Sequence, residues 1–204
     1  MTMYRKSTVQ NQLYPVRSAP FSDHYHEEDL EALLEQNPQV LANDEPLLLI
    51  SRQPDAKESG IPDLLALDAD GNLVIVELKR GRPPRDVIAQ ALEYAAWAAA
   101  LDEEGLHELA NAYLARRTPP TNLTAAWQEA FGQGAPEDEE TPGPMPALNG
   151  RQRIILVLEG REERVRHVVQ YLRGFGIDIN IVEYLYYRTD MGEEFLDIEA
   201  VHTP

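Results

Sequence analysis

The sequence predicts an α/β fold, with a mixed central sheet flanked by helices and a helical and loop insertion between two parts of the sheet. Three observations carry this. Short runs rich in Val, Ile and Leu, bounded by turn residues, recur at strand length. An alanine-rich segment with apolar residues at helical spacing follows the third run. After an insertion, a strand-helix-strand pattern closes the chain.

In order along the chain, residues 1–20 read as an irregular arm. Ser22 or Asp23 is suited to cap a helix running to about Gln36. Leu30, Leu33, Leu34 and Val40 form its apolar stripe, and Pro38 helps to end it. Residues 47–52 and 61–67 suit strands. Asp68-Ala69-Asp70-Gly71-Asn72 then marks a hairpin turn, because glycine accepts the positive φ the turn requires. Residues 73–79 form a third, strongly β-branched strand. Gly81-Arg82-Pro83-Pro84 breaks the chain before a helix over about 86–100, with Val87, Ala91, Tyr94 and Ala98 near one face. Helices over 102–115 and 121–131 follow. Residues 132–150, with glycines, prolines and the run Glu137-Asp138-Glu139-Glu140, read as a mobile loop. A strand over 153–158, a helix over 162–173 ended by Gly174 and Gly176, and a strand over 178–187 complete the pattern. The expected organisation is an arm (1–20) and one domain (21–204) carrying the insertion 101–150.

Composition narrows the function. The 204 residues are 43% hydrophobic, enough for one real core. The formal charge of −17 speaks against a general polyanion-coating protein. The absence of cysteine removes disulfides, thiol catalysis and zinc-thiolate sites, and fits a reducing cytoplasm. No apolar run approaches a bilayer span, and residues 1–20 lack a signal-peptide core, so no membrane partner is expected. Charge is uneven. Residues 51–90 sum to −1 and 150–176 to +3, against strongly acidic segments on either side. These two stretches are where a polyanion meets least repulsion.

One constellation carries chemistry. Asp63 follows Pro62, and Glu77 comes fourteen residues later, then one spacer and Lys79. A hairpin through the Asp-Gly turn brings Asp63 and Glu77 to the same end of paired strands. Glu77 and Lys79, two apart on a strand, share a face. Two carboxylates supply hard oxygen ligands suited to Mg²⁺ or Mn²⁺. An adjacent ammonium can stabilise charge on a reacting water or phosphate. Glu77 also interrupts an apolar strand, where an unpaired carboxylate is costly. Read alone, each piece has a plainer meaning: a Glu–Lys pair on a solvated strand face, or an ordinary Pro-Asp turn.

Taken together, three stretches resemble the PD-(D/E)xK nuclease superfamily, and within it the NucS/EndoMS-type and RecB-like endonuclease domains. They are Glu27-Glu28-Asp29-Leu30-Glu31 ahead of Asn37-Pro38, Gly60-Ile61-Pro62-Asp63-Leu64 through Gly71-Asn72 to Val76-Glu77-Leu78-Lys79-Arg80, and Gln90-Ala91-Leu92-Glu93-Tyr94. The resemblance implies a restriction-endonuclease-like αβββαβ core and a divalent-metal-dependent endonuclease hydrolysing phosphodiester bonds in DNA, in repair or defence. It implies that Asp63, Glu77 and the Leu78 carbonyl bind Mg²⁺ or Mn²⁺, and that Lys79 positions water and stabilises the phosphorus centre. Glu27 would be the first-helix acid, with Glu28 and Glu31 as rivals for that role. Gln90 and Tyr94, four apart on one helical face, would approach the site. Arg80, Arg82 and Arg85 would grip backbone phosphates, with Arg151 and Arg153 as weaker candidates. Only about 20 residues precede the first expected helix, so the resemblance is to the catalytic domain without the N-terminal β-rich domain of NucS-type proteins; their mismatch specificity and dimer mode are not expected to carry over, and a homodimer stays open as an assembly. The five histidines form no metal set, and the strand around Tyr184, Tyr186 and Tyr187 reads as half-buried packing rather than a base-stacking platform. The competing function is a catalytically silent copy of the fold acting as a nucleic-acid or protein binding module.

Overall fold

The computed structural model describes residues 3–7, 9, 11–43, 45–52, 62–119, 121–132 and 145–201. The strands are β1 (Met3–Lys6), β2 (Leu13–Ser18), β3 (Leu48–Arg52), β4 (Leu64–Leu67), β5 (Leu73–Lys79), β6 (Gln152–Glu159), β7 (Ile179–Arg188) and β8 (Glu194–Val201). The helices are α1 (Glu27–Gln36), α2 (Val87–Ala99), α3 (Glu103–Leu114), α4 (Leu123–Phe131) and α5 (Glu163–Arg173). The strands form one mixed sheet in the order β1-β2-β7-β6-β5-β4-β3, with β8 on β7. The pairs β5–β6 and β6–β7 are parallel, and the rest are antiparallel. The succession α1, β3, β4, β5, α2, β6 is the αβββαβ core of a restriction-endonuclease-like fold.

The sequence explains this layering. From Leu73 to Leu78 β5 is buried throughout, as a central strand covered on both faces must be. Over the β6–β7 part of the sheet, Val87 and Ala91 of α2 and Val165 and Val169 of α5 pack on Ile154, Leu156, Leu158, Ile179 and Ile181. A larger cluster joins β3, β4 and β5 to Leu30 and Leu34 of α1, Leu106 and Leu114 of α3, and Trp127 of α4. Arg166 of α5 forms a close ion pair with the buried Glu183 of β7, so that carboxylate is satisfied.

The β4–β5 hairpin sets the site's register. Asp68 Oδ1 accepts from the N–H groups of Asp70 and Asn72, and Gly71 has φ +80°. A Cβ on Gly71 would stand 2.9 Å from the Ala147 carbonyl oxygen. Gly71→Ala is therefore expected to cost about 1–3 kcal/mol, from the strained φ and the clash together. Urea denaturation measures this, and unchanged stability would contradict it.

Several expectations are corrected. Residues 3–6 and 13–18 are not an irregular arm but a β-hairpin, with Arg17 and Ser18 paired to Arg188 and Tyr187 of β7. The first helix begins at Glu27 rather than after Ser22 or Asp23. Phe21–Asp23 forms a separate 3-10 turn, and Asp29 accepts from the His26 N–H at the helix start. Val40 lies in a 3-10 turn beyond the helix, and Leu33 is exposed. β8 was not foreseen. The strand expected over 61–67 spans Leu64–Leu67, and Ile61 lies outside the described residues. So does the part of the expected loop from 133 to 144, including Glu137-Asp138-Glu139-Glu140. Within the insertion, α3 and α4 pack on β3 and contribute to the main core. Tyr184, Tyr186 and Tyr187 are fully enclosed, which suits packing and not base stacking.

Candidate active site

The register of β4 and β5 pairs Leu64 with Val76, which carries the next opposed positions to Asp63 and Glu77. Both carboxylates are buried, Asp63 at 8% and Glu77 at 1% exposure. The Leu78 N–H donates to Asp63 Oδ2 at 2.7 Å, so one edge of Asp63 is fixed by the neighbouring strand. Lys79 Nζ lies 2.5 Å from Glu77 Oε1, which places the two side chains on one face as their spacing requires. The second oxygen, Glu77 Oε2, is buried with no partner among the described residues.

The electrostatics follow from this crowding. Burial, then the Asp63 carboxylate, push Glu77 up to about 7, against the pull of Lys79. Burial also raises Asp63, opposed by the Leu78 N–H and by Lys79. For Lys79, burial would favour the neutral amine, but Glu77, Asp63 and Glu27 outweigh it and hold the ammonium above its ordinary value. Lys79 is therefore a charged donor and not a base.

The helix acids are distributed around this pair. Glu27 Oε2 accepts from the Arg80 N–H at 3.1 Å, and Oε1 is 3.8 Å from Lys79 Nζ. Glu31 is buried, and its carboxyl is raised first by burial and then by Asp63. Arg52 Nε donates to it at 3.3 Å. Glu28 is exposed and contributes its backbone carbonyl to Arg52. Glu27 and Glu31 thus flank the carboxylate pair, and Glu28 does not. On α2, Gln90 Nε2 donates to Tyr94 Oη at 2.9 Å. Burial and Glu77 raise the Tyr94 phenol, so it keeps its proton at neutral pH.

The arginines separate into two groups. Arg80 Nη1 is used on the carbonyls of Tyr25 (3.0 Å) and Ser22 (3.4 Å), which buttresses the lead-in to α1. Arg153 is bound to Asp68 at 3.0 Å and near Glu45 and Asp178, so it braces the hairpin turn. Arg82 and Arg85 are exposed.

Two contributors were missed by reading the sequence. Arg52 Nη1 donates to Glu35 at 2.8 Å while Nε reaches Glu31, and Glu35 also accepts from Tyr113 Oη at 2.6 Å. These groups line a cavity of about 970 Å³ between α1, β3, α3 and α4. The other contributor is Glu159 at the end of β6. Its Oε1 accepts from the Phe21 N–H and its Oε2 from the Gly81 N–H, each at 2.6 Å. Glu159 thereby ties the lead-in to α1 to the segment just after Lys79. An acid closing a buried run at the carboxyl end of a parallel strand was its only signal. Glu159→Ala is expected to cost about 2 kcal/mol, because two N–H groups lose a charged acceptor. Glu159→Gln, with a single accepting oxygen, should lose about half of that. Chemical denaturation of both variants measures the difference, and wild-type stability in Glu159→Ala would contradict the assignment.

The donor set suits a hard divalent cation. An unpartnered, buried carboxylate oxygen beside a second carboxylate is a costly arrangement that such an ion relieves. Among the described residues, no three His, Asp or Glu side chains gather into a ready-made cage. Mg²⁺ is commonly held by one or two carboxylates and completes its shell with water and substrate oxygens.

The fold and this carboxylate–lysine cluster define a restriction-endonuclease-like protein of the α/β class. No protein-family model matches the chain, and no curated protein matches it. Among solved structures, it is similar to a repair endonuclease from Pyrococcus abyssi, with 20% identity and TM-score 0.38, over 76% of this chain and 46% of that one. It is also similar to EndoMS in an EndoMS–dsDNA2 complex, with 16% identity and TM-score 0.38, over 89% of this chain and 65% of that one. The chain therefore spans less than two thirds of the length of either. Among the described residues, no helix is long and apolar enough to cross a membrane.

Proposed function

We propose that this protein is a divalent-metal-dependent phosphodiesterase of the PD-(D/E)xK type that cleaves DNA in the cytoplasm. The observation that carries this reading is Glu77: fully buried, opposite Asp63, held on one oxygen by Lys79 and unpartnered on the other. Asp63, Glu77 and the Leu78 carbonyl would hold Mg²⁺ or Mn²⁺. Such an ion, when bound, lowers the pKa of a coordinated water and neutralises phosphate charge. Lys79 supplies a fixed positive centre toward the phosphate oxygens. Glu27 restrains that ammonium from the α1 side. Because Tyr94 Oη already accepts from Gln90, its own proton is free to be donated toward Glu77 or a phosphate oxygen. Arg82 and Arg85 contact flanking phosphates. The second reading, a silent binding module, draws its support from the charge of −17, which opposes tight DNA binding.

Linkage gives a test that needs no turnover. In the metal-free protein Glu77 holds its proton to about pH 7, whereas the unfolded chain releases it near the ordinary carboxylate value. The folded state then binds more protons across that interval, so stability falls as pH rises toward 7. A cation that binds Glu77 as a carboxylate must displace the proton. Thermal unfolding with Mn²⁺ or Mg²⁺ should therefore show a larger stabilisation at pH 8 than at pH 6, up to about 3 kcal/mol at a hundredfold excess over Kd. Glu77→Gln should remove Glu77's share of the pH trend, leaving those of Asp63 and Glu31, and should abolish the metal shift. A metal shift that is undiminished in Glu77→Gln would contradict the reading.

A further inference from the structure

The two segments whose charge tolerates a polyanion, 51–90 and 150–176, are far apart in sequence. The fold brings their basic ends together. Because β5 and β6 are parallel, the connections that follow them, 80–86 and 160–162, emerge at the same end of the sheet as Lys79. There the first turn of α5 meets the β5–α2 connection, where Arg164 Nη2 reaches the Pro84 carbonyl at 3.4 Å. Helices α2 and α5, which these connections enter, cover the same face of the sheet. The register that pairs Glu77 with Leu156 and Lys79 with Leu158 places the candidate site on that face as well.

Arg82, Arg85, Arg161 and Arg164 are all exposed at this corner. Arg82, Arg85 and Arg161 have no hydrogen-bond or ion-pair partner among the described residues. Glu159 beside them is occupied by the Phe21 and Gly81 N–H groups, and Asp86, Glu162 and Glu163 are the other acids of the two connections and the start of α5, so four exposed arginines face three acids in a chain of net charge −17. Arginines left unpaired beside so many carboxylates are not serving to neutralise the protein's own surface.

We propose that this corner is a nucleic-acid backbone track, in which Arg161 of the β6–α5 connection and Arg164 of the first turn of α5 extend the phosphate contacts of Arg82 and Arg85. The inference rests on the nuclease reading for its substrate class. It assigns a nucleic-acid role to residues outside the motifs that suggested that reading. Each arginine that meets a phosphate releases condensed counterions, so neutralising it lowers the salt dependence of binding in a countable way.

The test is binding of a fluorescein-labelled 20-base-pair duplex, and of its single strand, to full-length Glu77→Gln protein across a salt series. Arg161→Ala/Arg164→Ala and Arg82→Ala/Arg85→Ala should each weaken binding about tenfold at low salt and flatten the log–log salt slope by about 1–2. Lys6→Ala/Arg17→Ala, on the β1–β2 hairpin at the other side of the sheet, should leave both unchanged. Binding that ignores Arg161 and Arg164 while depending on Arg82 and Arg85 would overturn the proposal. So would an Arg161→Ala/Arg164→Ala protein that alters self-association by sedimentation and leaves DNA binding untouched, which would mark the corner as a contact between copies. Cleavage by wild type is read separately. Binding with the expected slopes but no cleavage sinks the nuclease reading alone. Cleavage with no effect of Arg161→Ala/Arg164→Ala sinks the track alone.

Discussion

Glu77→Gln is expected to abolish metal-dependent DNA cleavage, a loss of at least ~10³-fold, while the chain still folds. The amide keeps the shape of the side chain and removes its charge. At position 77 that charge is needed to hold a cation, yet without one it is held in the interior beside Asp63. Loss of activity and gain of stability should therefore appear in the same variant. Above pH 7 in EDTA, Glu77→Gln should be at least as stable as wild type, because a buried carboxylate facing another carboxylate has been replaced by a neutral group. A merely structural glutamate would behave in the opposite way, since removing its charge would weaken its pairing with Lys79. Circular dichroism melts at pH 8 beside cleavage assays separate the two, and a Glu77→Gln protein that is strongly destabilised would count against the site.

Lys79→Ala is expected to lower the cleavage rate about 10²–10³-fold, the usual loss when a preorganised donor to transition-state charge is removed. Its ammonium is held by Glu77 at 2.5 Å, with Glu27 behind it at 3.8 Å, so it is aimed before substrate arrives. Lys79→Arg keeps the charge but not the compact geometry, and should recover only a small part of the rate. The metal-induced thermal shift should survive in Lys79→Ala, because none of the proposed ligands has been removed. Single-turnover rates at saturating metal are the measurement, and a wild-type rate in Lys79→Ala would contradict the assignment.

The parts that were legible in the sequence are those where a local signal and a tertiary demand coincide. β5 was read to the residue because its β-branched run is bounded by an Asp-Gly turn and a Gly-Arg-Pro-Pro break, and it is buried on both faces. That same buried context made Glu77 conspicuous. The hairpin then placed Asp63 opposite it, since the turn sets the register of the strands it joins. The strands that escaped notice lie at the margin of the sheet. β8 alternates exposed and partly covered positions with Glu194, Asp197 and Glu199 on it, and β2 contains Pro15. Half-solvated edge strands carry little apolar periodicity, and their pairing is a property of the assembled sheet. The start of α1 was misplaced for a related reason. Ser22 is a good cap in isolation, but Phe21 is drawn into the core against Tyr184 and Tyr186, and the helix begins only at Glu27.

The candidate site divides along the same line. Asp63, Glu77, Lys79, Gln90 and Tyr94 are close in sequence or on one helical face, and the structure brings them around one point. Glu159 and Arg52 brace the elements around that point through contacts across long sequence separations, so nothing in their local context announces them. Arg80 shows the converse. It sits in the motif that suggests phosphate binding, yet its guanidinium is spent on backbone carbonyls before α1.

The most direct measurement is cleavage of a panel of duplex, single-stranded, flapped, mismatched and branched DNA by wild-type protein, in Mg²⁺, in Mn²⁺ and in EDTA, beside Glu77→Gln and an outlying control, His24→Ala. The predicted result is cleavage of at least one substrate in a divalent metal, none in EDTA, none by Glu77→Gln, and a wild-type rate for His24→Ala. Cleavage that persists in EDTA or in Glu77→Gln would contradict the catalytic site, and no cleavage of any substrate would contradict the nuclease function.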